Sequence, residues 1–335
     1  MKRIIMRLVS IGLFVAILLP GVVSAQSTNN APKKCDVTND IILPGLWAGA
    51  NMDLSEIDRN PCIRRDTTSS PGASPVAPSQ PAGSLKRSEL YIALGDSVAA
   101  GLGLPQPTDP TTTQRVCGLT GYAYPVYVAA SVNRWYINGS CRSAKASDLF
   151  TEQNVNGREQ PPQLDTAFAN GVPALISVTA GANDLGWNAF LYRCYQSTST
   201  CGTEAEKATL KGLRIALRAS IHTSMIAIAA KSGGQPPRVV WTGYYNPLSN
   251  NCTNAIPTIS QAEINWINSE VQLLNQAIQN TVANYSFARF APVSFSGHEL
   301  CTPQPWVQGL NDPAPLHPTV AGQQAISRSV LTKVN

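Results

Sequence analysis

The sequence predicts an α/β fold built on a mostly parallel, five-stranded sheet covered on both faces. Short apolar runs rich in β-formers alternate along the chain with segments of helical period. Those helical segments are long enough to carry the chain from one parallel strand to the next. The 335 residues are 43% hydrophobic and 13% charged, the composition of a globular chain with a sizeable core.

Leu90 to Leu94 is the first apolar run, broken by Gly95 into Asp96-Ser97. Tyr122 to Asn133 reads as a helix and Trp135 to Asn138 as a second strand. Ala174 to Thr179 is a third strand that ends in Gly181-Ala182-Asn183-Asp184. Leu210, Leu213, Leu217, Ile221, Met225 and Ile228 recur every three or four residues within Glu204 to Lys231, which marks an amphipathic helix stopped at Gly233-Gly234. Arg238 to Thr242 is the fourth strand. Ser260 and Glu263 form a capping-box pattern before a helical face of Ile264, Ile267, Val271, Leu274, Ile278 and Val282. Ser286 to Val293 is expected as the fifth strand and Thr319 to Leu331 as the closing helix.

Ahead of these elements, residues 1–25 have the layout of a secretory signal peptide, with Lys2, Arg3 and Arg7, an apolar core from Leu8 to Leu19, and small residues at Val23-Ser24-Ala25. An uncleaved anchor is the alternative; the core is short for a bilayer span, and no later stretch reads as one. Residues 26–65 read as a small extension clipped by a disulfide, 66–87 as a Ser/Pro-rich linker, and 88–335 as the main domain. The net charge of +5 falls to about +2 without Lys2, Arg3 and Arg7, and no basic run follows them, which argues against nucleic acid as a partner. Stable membrane insertion is not expected once the signal is cut. The eight cysteines of an exported chain imply disulfides. Nearest-neighbour pairing is expected: Cys35–Cys62, Cys117–Cys141, Cys194–Cys201 and Cys252–Cys301. No C-x-x-C spacing suggests a zinc or redox site. Asn138, Asn251 and Asn284 each open a glycosylation pattern, one that is common by chance.

Ligands of open α/β sheets bind beyond the carboxyl ends of the strands. Ser97 stands at such an end, either as a nucleophile or simply as a residue of a strand-to-helix turn. A serine hydroxyl needs a base, and the chain holds three histidines. His222 lies within the long helix, at its edge or surface. His298, in a loop before Cys301, reads better as a structural hydrogen-bonder. His317, at a loop-to-helix junction, suits a general base, with helix capping as its alternative role. Asn183 ends the third strand, on the same sheet edge as Ser97. Its amide can donate to an oxyanion, or it can serve only the turn.

Taken in order, Gly95-Asp96-Ser97, Gly181-x-Asn183-Asp184 and His317-Pro318 resemble the motifs of the SGNH hydrolases, also called GDSL esterases and lipases. The resemblance spans about residues 88–335. It is greatest to the secreted, disulfide-bearing bacterial esterase and lipase branch. Cys141-Arg142-Ser143-Ala144 resembles that branch's second block, and Gly297-His298-Glu299-Leu300-Cys301 with Pro305-Trp306 resembles its segment ahead of the catalytic histidine. The resemblance implies a three-layer α/β/α sandwich, flavodoxin-like, with Ser97 as nucleophile and His317 as base. It implies an oxyanion hole of the Ser97 and Ser143 amides with the Asn183 side chain, and neither metal nor organic cofactor.

Two positions depart from the family pattern. Ser143 stands where glycine is usual. Ala314 stands where many members have aspartate, three residues before the histidine. A Ser-His dyad is therefore expected, with the Ala314 carbonyl facing the imidazole and Asp312 as the alternative orienter. The expected function is a secreted serine esterase or lipase acting on a small ester or lipid. A carbohydrate O-acetyl-esterase acting on an acetylated glycan and a non-catalytic binding protein that keeps the fold are the alternatives. The G-x-S-x-G elbow of α/β-hydrolases is absent around Ser97, and no phosphate loop follows Gly101-Leu102-Gly103.

Overall fold

The computed structural model describes residues 87–196, 201–256 and 258–334. The expected signal peptide, the expected extension with its Cys35–Cys62 pairing and nearly all of the expected linker lie outside the described residues. Along the chain run β1 (Leu90–Gly95), α1 (Ser97–Ala100), α2 (Thr112–Cys117), α3 (Tyr124–Val132) and β2 (Trp135–Asn138). A hairpin of β3 (Gln153–Val155) and β4 (Arg158–Gln160) follows, then α4 (Gln163–Phe168), β5 (Leu175–Thr179) and α5 (Trp187–Gln196). The remainder is α6 (Glu204–Lys231), β6 (Arg238–Thr242), α7 (Cys252–Ala255), α8 (Gln261–Val282), β7 (Ala288–Ala291) and α9 (Val320–Leu331).

The main sheet has five strands in the order β2-β1-β5-β6-β7, and every pairing is parallel. Taken by rank along the chain, that is the doubly wound flavodoxin-like order, which reverses direction between the first and third strands and opens a crevice there. The switch point lies between β1 and β5, the strands that lead into Ser97 and Asn183. Helices α3 and α9 pack together, as do α6 and α8, and these pairs flank the sheet. Both central strands are buried at every position, as a covered parallel sheet requires.

Strand β2, strand β6 and helix α6 have the bounds expected from sequence. Strand β7 is shorter than Ser286–Val293, because Ala288 N–H still closes a turn onto the Tyr285 carbonyl at 3.0 Å. The short helices α1, α2, α4 and α7 and the β3–β4 hairpin have no counterpart in the sequence reading, since one or two turns and three-residue strands leave little period. The ten-residue α5 has none either, although Trp187, Phe190, Leu191, Cys194 and Tyr195 recur at helical spacing. The capping box at α8 is present, with Ser260 accepting from Glu263 N–H and Glu263 from Ser260 N–H.

Helix α6 meets the length and composition of a membrane crossing, which corrects the reading that no stretch after the leader does. In the fold, Leu210, Leu217, Ile221 and Met225 of its inner face are fully buried, and Arg214 pairs with the buried Glu270 of α8. Disulfides join Cys117 to Cys141, Cys194 to Cys201 and Cys252 to Cys301.

One glycine governs how the first strand ends. Gly95 has φ +126°, and a Cβ there would sit 2.0 Å from the Thr179 carbonyl oxygen of β5. Both its N–H and its carbonyl are engaged by the side chain of Gln163, at 2.8 and 2.9 Å. Gly95→Ala must therefore both adopt a left-handed conformation and separate two paired strands. We expect it to lose more than about 3 kcal/mol of stability, read as a collapse of the urea midpoint or of soluble yield.

Candidate active site

Helix α1 begins directly after β1, and Asp96 is its N-cap, accepting Val98 N–H at 2.9 Å. Ser97 is thus the first helical residue, and its own amide has no intrahelical acceptor. His317 arrives from the opposite end of the chain, two residues before the Thr319 cap of α9. Its Nε2 lies 2.8 Å from Ser97 Oγ. Its Nδ1 lies 3.1 Å from the Pro315 carbonyl. A carbonyl only accepts, so Nδ1 carries the proton and Nε2 offers its lone pair to the serine hydroxyl.

The carbonyl in hydrogen-bond contact with Nδ1 is that of Pro315, and the expected Ala314 carbonyl also acts on the ring. Leu316 adopts φ 64°, and the Ala314 carbonyl is taken by the His317 backbone N–H at 3.1 Å. This tight turn leaves the carbonyl of the next residue facing the ring. Asp312 accepts from Gly309 N–H at 2.5 Å and so closes the preceding turn. Burial pulls the His317 pKa below its ordinary value, opposed by the Pro315 and Ala314 carbonyls.

Asn183 opens a one-turn 3-10 helix after β5. Its Nδ2 donates to the Ala144 carbonyl at 2.9 Å, which leaves a second N–H on the same nitrogen. Its neighbour Asp184 accepts Ala146 N–H at 2.9 Å, so two hydrogen bonds tie the Ser143 loop to the Asn183 turn. Burial raises the Asp184 carboxyl to about 6. Ser143 has φ 63°, the region that glycine enters without cost, which explains the glycine usual in its place. Among the described residues, the amides of Ser97 and Ser143 donate to no backbone or side-chain acceptor.

Ser97, Asn183 and His317 line one cleft of about 500 Å³, including its open mouth. Trp187, Leu191, Tyr245, Pro247 and Leu316 supply an apolar wall, while Ser143 stands outside this lining. The remaining histidines serve elsewhere. His222 Nδ1 meets the Tyr285 hydroxyl at 2.8 Å, and His298 stacks on Trp306 with ring centres 3.8 Å apart.

Apart from Asp96, which stands within its motif, the sequence reading did not single out the polar groups that support this cleft. Asp96 is buried with both carboxyl oxygens occupied, the second by the Tyr244 hydroxyl at 2.6 Å. Burial holds its carboxyl up at about 7, against the lowering effect of the Tyr244 and Val98 hydrogen bonds. Gln323 of α9 donates to the Val98 carbonyl, and Gln308 donates to both Leu102 and Pro318 carbonyls. These glutamines join the serine and histidine segments directly. Tyr244 follows β6 by two residues, so its place on the shared sheet edge was legible; the glutamines sit in stretches that carry no motif.

This arrangement places a hydroxyl, a proton acceptor and a set of N–H donors around one small volume, which suits attack on an ester carbonyl. Comparison with known proteins agrees. Residues 93–325 match the GDSL-like lipase/acylhydrolase family. A lipase of Streptomyces rimosus is 28% identical over 246 residues, covering 70% of this chain and 82% of its own. The crystal structure of the extracellular lipase from Streptomyces rimosus superposes with a TM-score of 0.58 at 24% identity, covering 74% of this chain and all of that one. Phospholipase A1 from Streptomyces albidoflavus superposes with a TM-score of 0.59 at 26% identity, with the same 74% of this chain and 100% of that chain covered. The chain belongs to the GDSL-like lipase/acylhydrolase family and is a carboxylic ester hydrolase.

Proposed function

We propose that the enzyme is an exported lipase or esterase that works through a Ser97–His317 dyad and an acyl-enzyme. The observation that carries this reading is the 2.8 Å contact between Ser97 Oγ and the unprotonated Nε2 of His317 at the cleft. As Oγ attacks the ester carbonyl carbon, its proton passes to Nε2. Negative charge gathers on the carbonyl oxygen, where the Ser97 and Ser143 amides and Asn183 Nδ2 donate to it. The imidazolium, held by the Pro315 carbonyl, returns the proton to the leaving alkoxide, and the alcohol departs. Water then gives its proton to Nε2 and attacks the acyl carbon. Ser97 leaves with that proton, and the acid is released.

The apolar wall of Trp187, Leu191 and Leu316 favours an acyl chain over an acetyl group. Export agrees with the signal-like residues 1–25, with the three disulfides, and with the extracellular lipase among the relatives. In the same reading residues 88–335 form the catalytic domain, preceded by the extension and linker.

Three outcomes check the mechanism. Ser97→Ala should lose at least about 10³-fold in kcat and all labelling by a fluorophosphonate, across p-nitrophenyl esters of increasing chain length. If activity is instead confined to acetyl esters and acetylated xylan, the glycan esterase replaces the lipase. Asp312→Asn should cost less than about tenfold in kcat, whereas an essential orienting aspartate would cost about 10⁴-fold. Finally, the base must be neutral to work, and burial lowers the pKa of His317. The acid limb of kcat/KM should therefore have its midpoint below pH 6.5.

A further inference from the structure

Gly243-Tyr244-Tyr245 leaves the carboxyl end of β6 and enters the cleft from the side opposite β1. Both tyrosines are almost fully buried, at 8% and 7% exposure, so each hydroxyl must find partners inside the protein. The Tyr244 hydroxyl donates to Asp96 at 2.6 Å and accepts from Ala182 N–H at 3.1 Å. The Tyr245 hydroxyl donates to the Leu316 carbonyl at 2.8 Å. Asp96, Ala182 and Leu316 are the residues immediately before Ser97, Asn183 and His317.

We propose that Tyr244 and Tyr245 are paired positioning residues, whose hydroxyls hold the residue one ahead of each member of the site, Asp96 by its side chain and Ala182 and Leu316 by their backbone. The proposal rests on the Ser97–His317–Asn183 reading above and deepens it. Three segments far apart in sequence are aligned by two neighbouring side chains, so errors in their relative placement do not accumulate.

The tyrosines are themselves well anchored. Asn275 of α8 accepts Tyr244 N–H and donates to the Tyr244 carbonyl, both at 2.7 Å. The Tyr245 ring stacks on Phe295 with centres 4.0 Å apart and planes 15° from parallel. Each hydroxyl also restrains something that needs restraint. Asp96 caps α1 with one oxygen and receives Tyr244 on the other, which sets the direction of the turn carrying Ser97. Leu316 holds a left-handed φ of 64° that a leucine avoids when free. Its carbonyl is held by Tyr245, and its N–H donates to the Gln308 carbonyl at 3.0 Å. Relaxation of Leu316 would rotate the peptide leading into His317 and draw Nε2 away from Ser97.

The hydroxyls can be deleted with the rings retained. Tyr244→Phe should lower kcat by about tenfold or more, since it removes a hydrogen bond to a carboxyl group. Tyr245→Phe should lower it several-fold, by about threefold to tenfold, as expected for a neutral acceptor. KM for a p-nitrophenyl ester should change less than about twofold in both, because the rings still line the cleft. The rate of fluorophosphonate inactivation should fall in parallel with kcat, while the final extent of labelling stays that of wild type. Rates are taken per titrated site, so unfolded protein does not enter them.

If both phenylalanine variants keep kcat per titrated site within about twofold of wild type, the proposal is overturned, even where the melting temperature drops. Ser97→Ala measured in parallel separates the two layers. An active Ser97→Ala enzyme would remove the dyad reading itself. An inactive one beside unimpaired tyrosine variants would remove only the positioning role.

Discussion

A single hydrogen bond of 2.8 Å between Ser97 and His317 closes a loop of 220 residues, and the rest of the fold serves to make that closure possible. The two residues lie near opposite ends of the described chain. The parallel sheet places the end of β1 at the crevice where strand order reverses. Helix α9, packed against α3, returns the C-terminal segment to the same edge. Gln323 then completes the closure locally, accepting from Tyr124 N–H of α3 and donating to the Val98 carbonyl of α1. Closure thus depends on buried amide side chains as much as on apolar packing.

Placing so many polar groups beside the crevice requires that each be satisfied, because an unpaired buried group costs about 1–3 kcal/mol. The protein solves this with groups that serve two segments at once. Gln163 takes both backbone polar atoms of Gly95, Gln308 bridges the Leu102 and Pro318 carbonyls, and Tyr244 joins Asp96 to Ala182. Such bridging groups leave little freedom in the cleft's rim. The apolar wall around Trp187 and Leu191 belongs to α5, whose far end is held by the Cys194–Cys201 bond.

The expected Ala314 carbonyl shares the imidazole with that of Pro315, which makes the 3.1 Å contact. Counting back three positions from the histidine finds the place of a side chain in related proteins. A backbone carbonyl points where local φ and ψ send it, and here the left-handed Leu316 sends that of Pro315 toward the ring. The turn is the cause, and no side-chain pattern in Asp312 to His317 announces it. Ser143 is the reverse case. Its departure from glycine was visible in sequence, and its φ of 63° gives the reason the position tolerates few residues.

By itself the sequence determined the order and type of the long elements, because periodicity and β-propensity are local properties of neighbouring residues. Strands β2 and β6 and helix α6 were bounded to the residue on that ground, and Ser97, Asn183 and His317 stood out by their place at element ends. Only the tertiary structure decided which carbonyl faces the imidazole, which glutamines join the two termini of the domain, and that adjacent tyrosines reach the residues before all three. Those contacts join segments tens to hundreds of residues apart. Their geometry follows from the packing of the whole sheet and its helices, which no window of sequence contains.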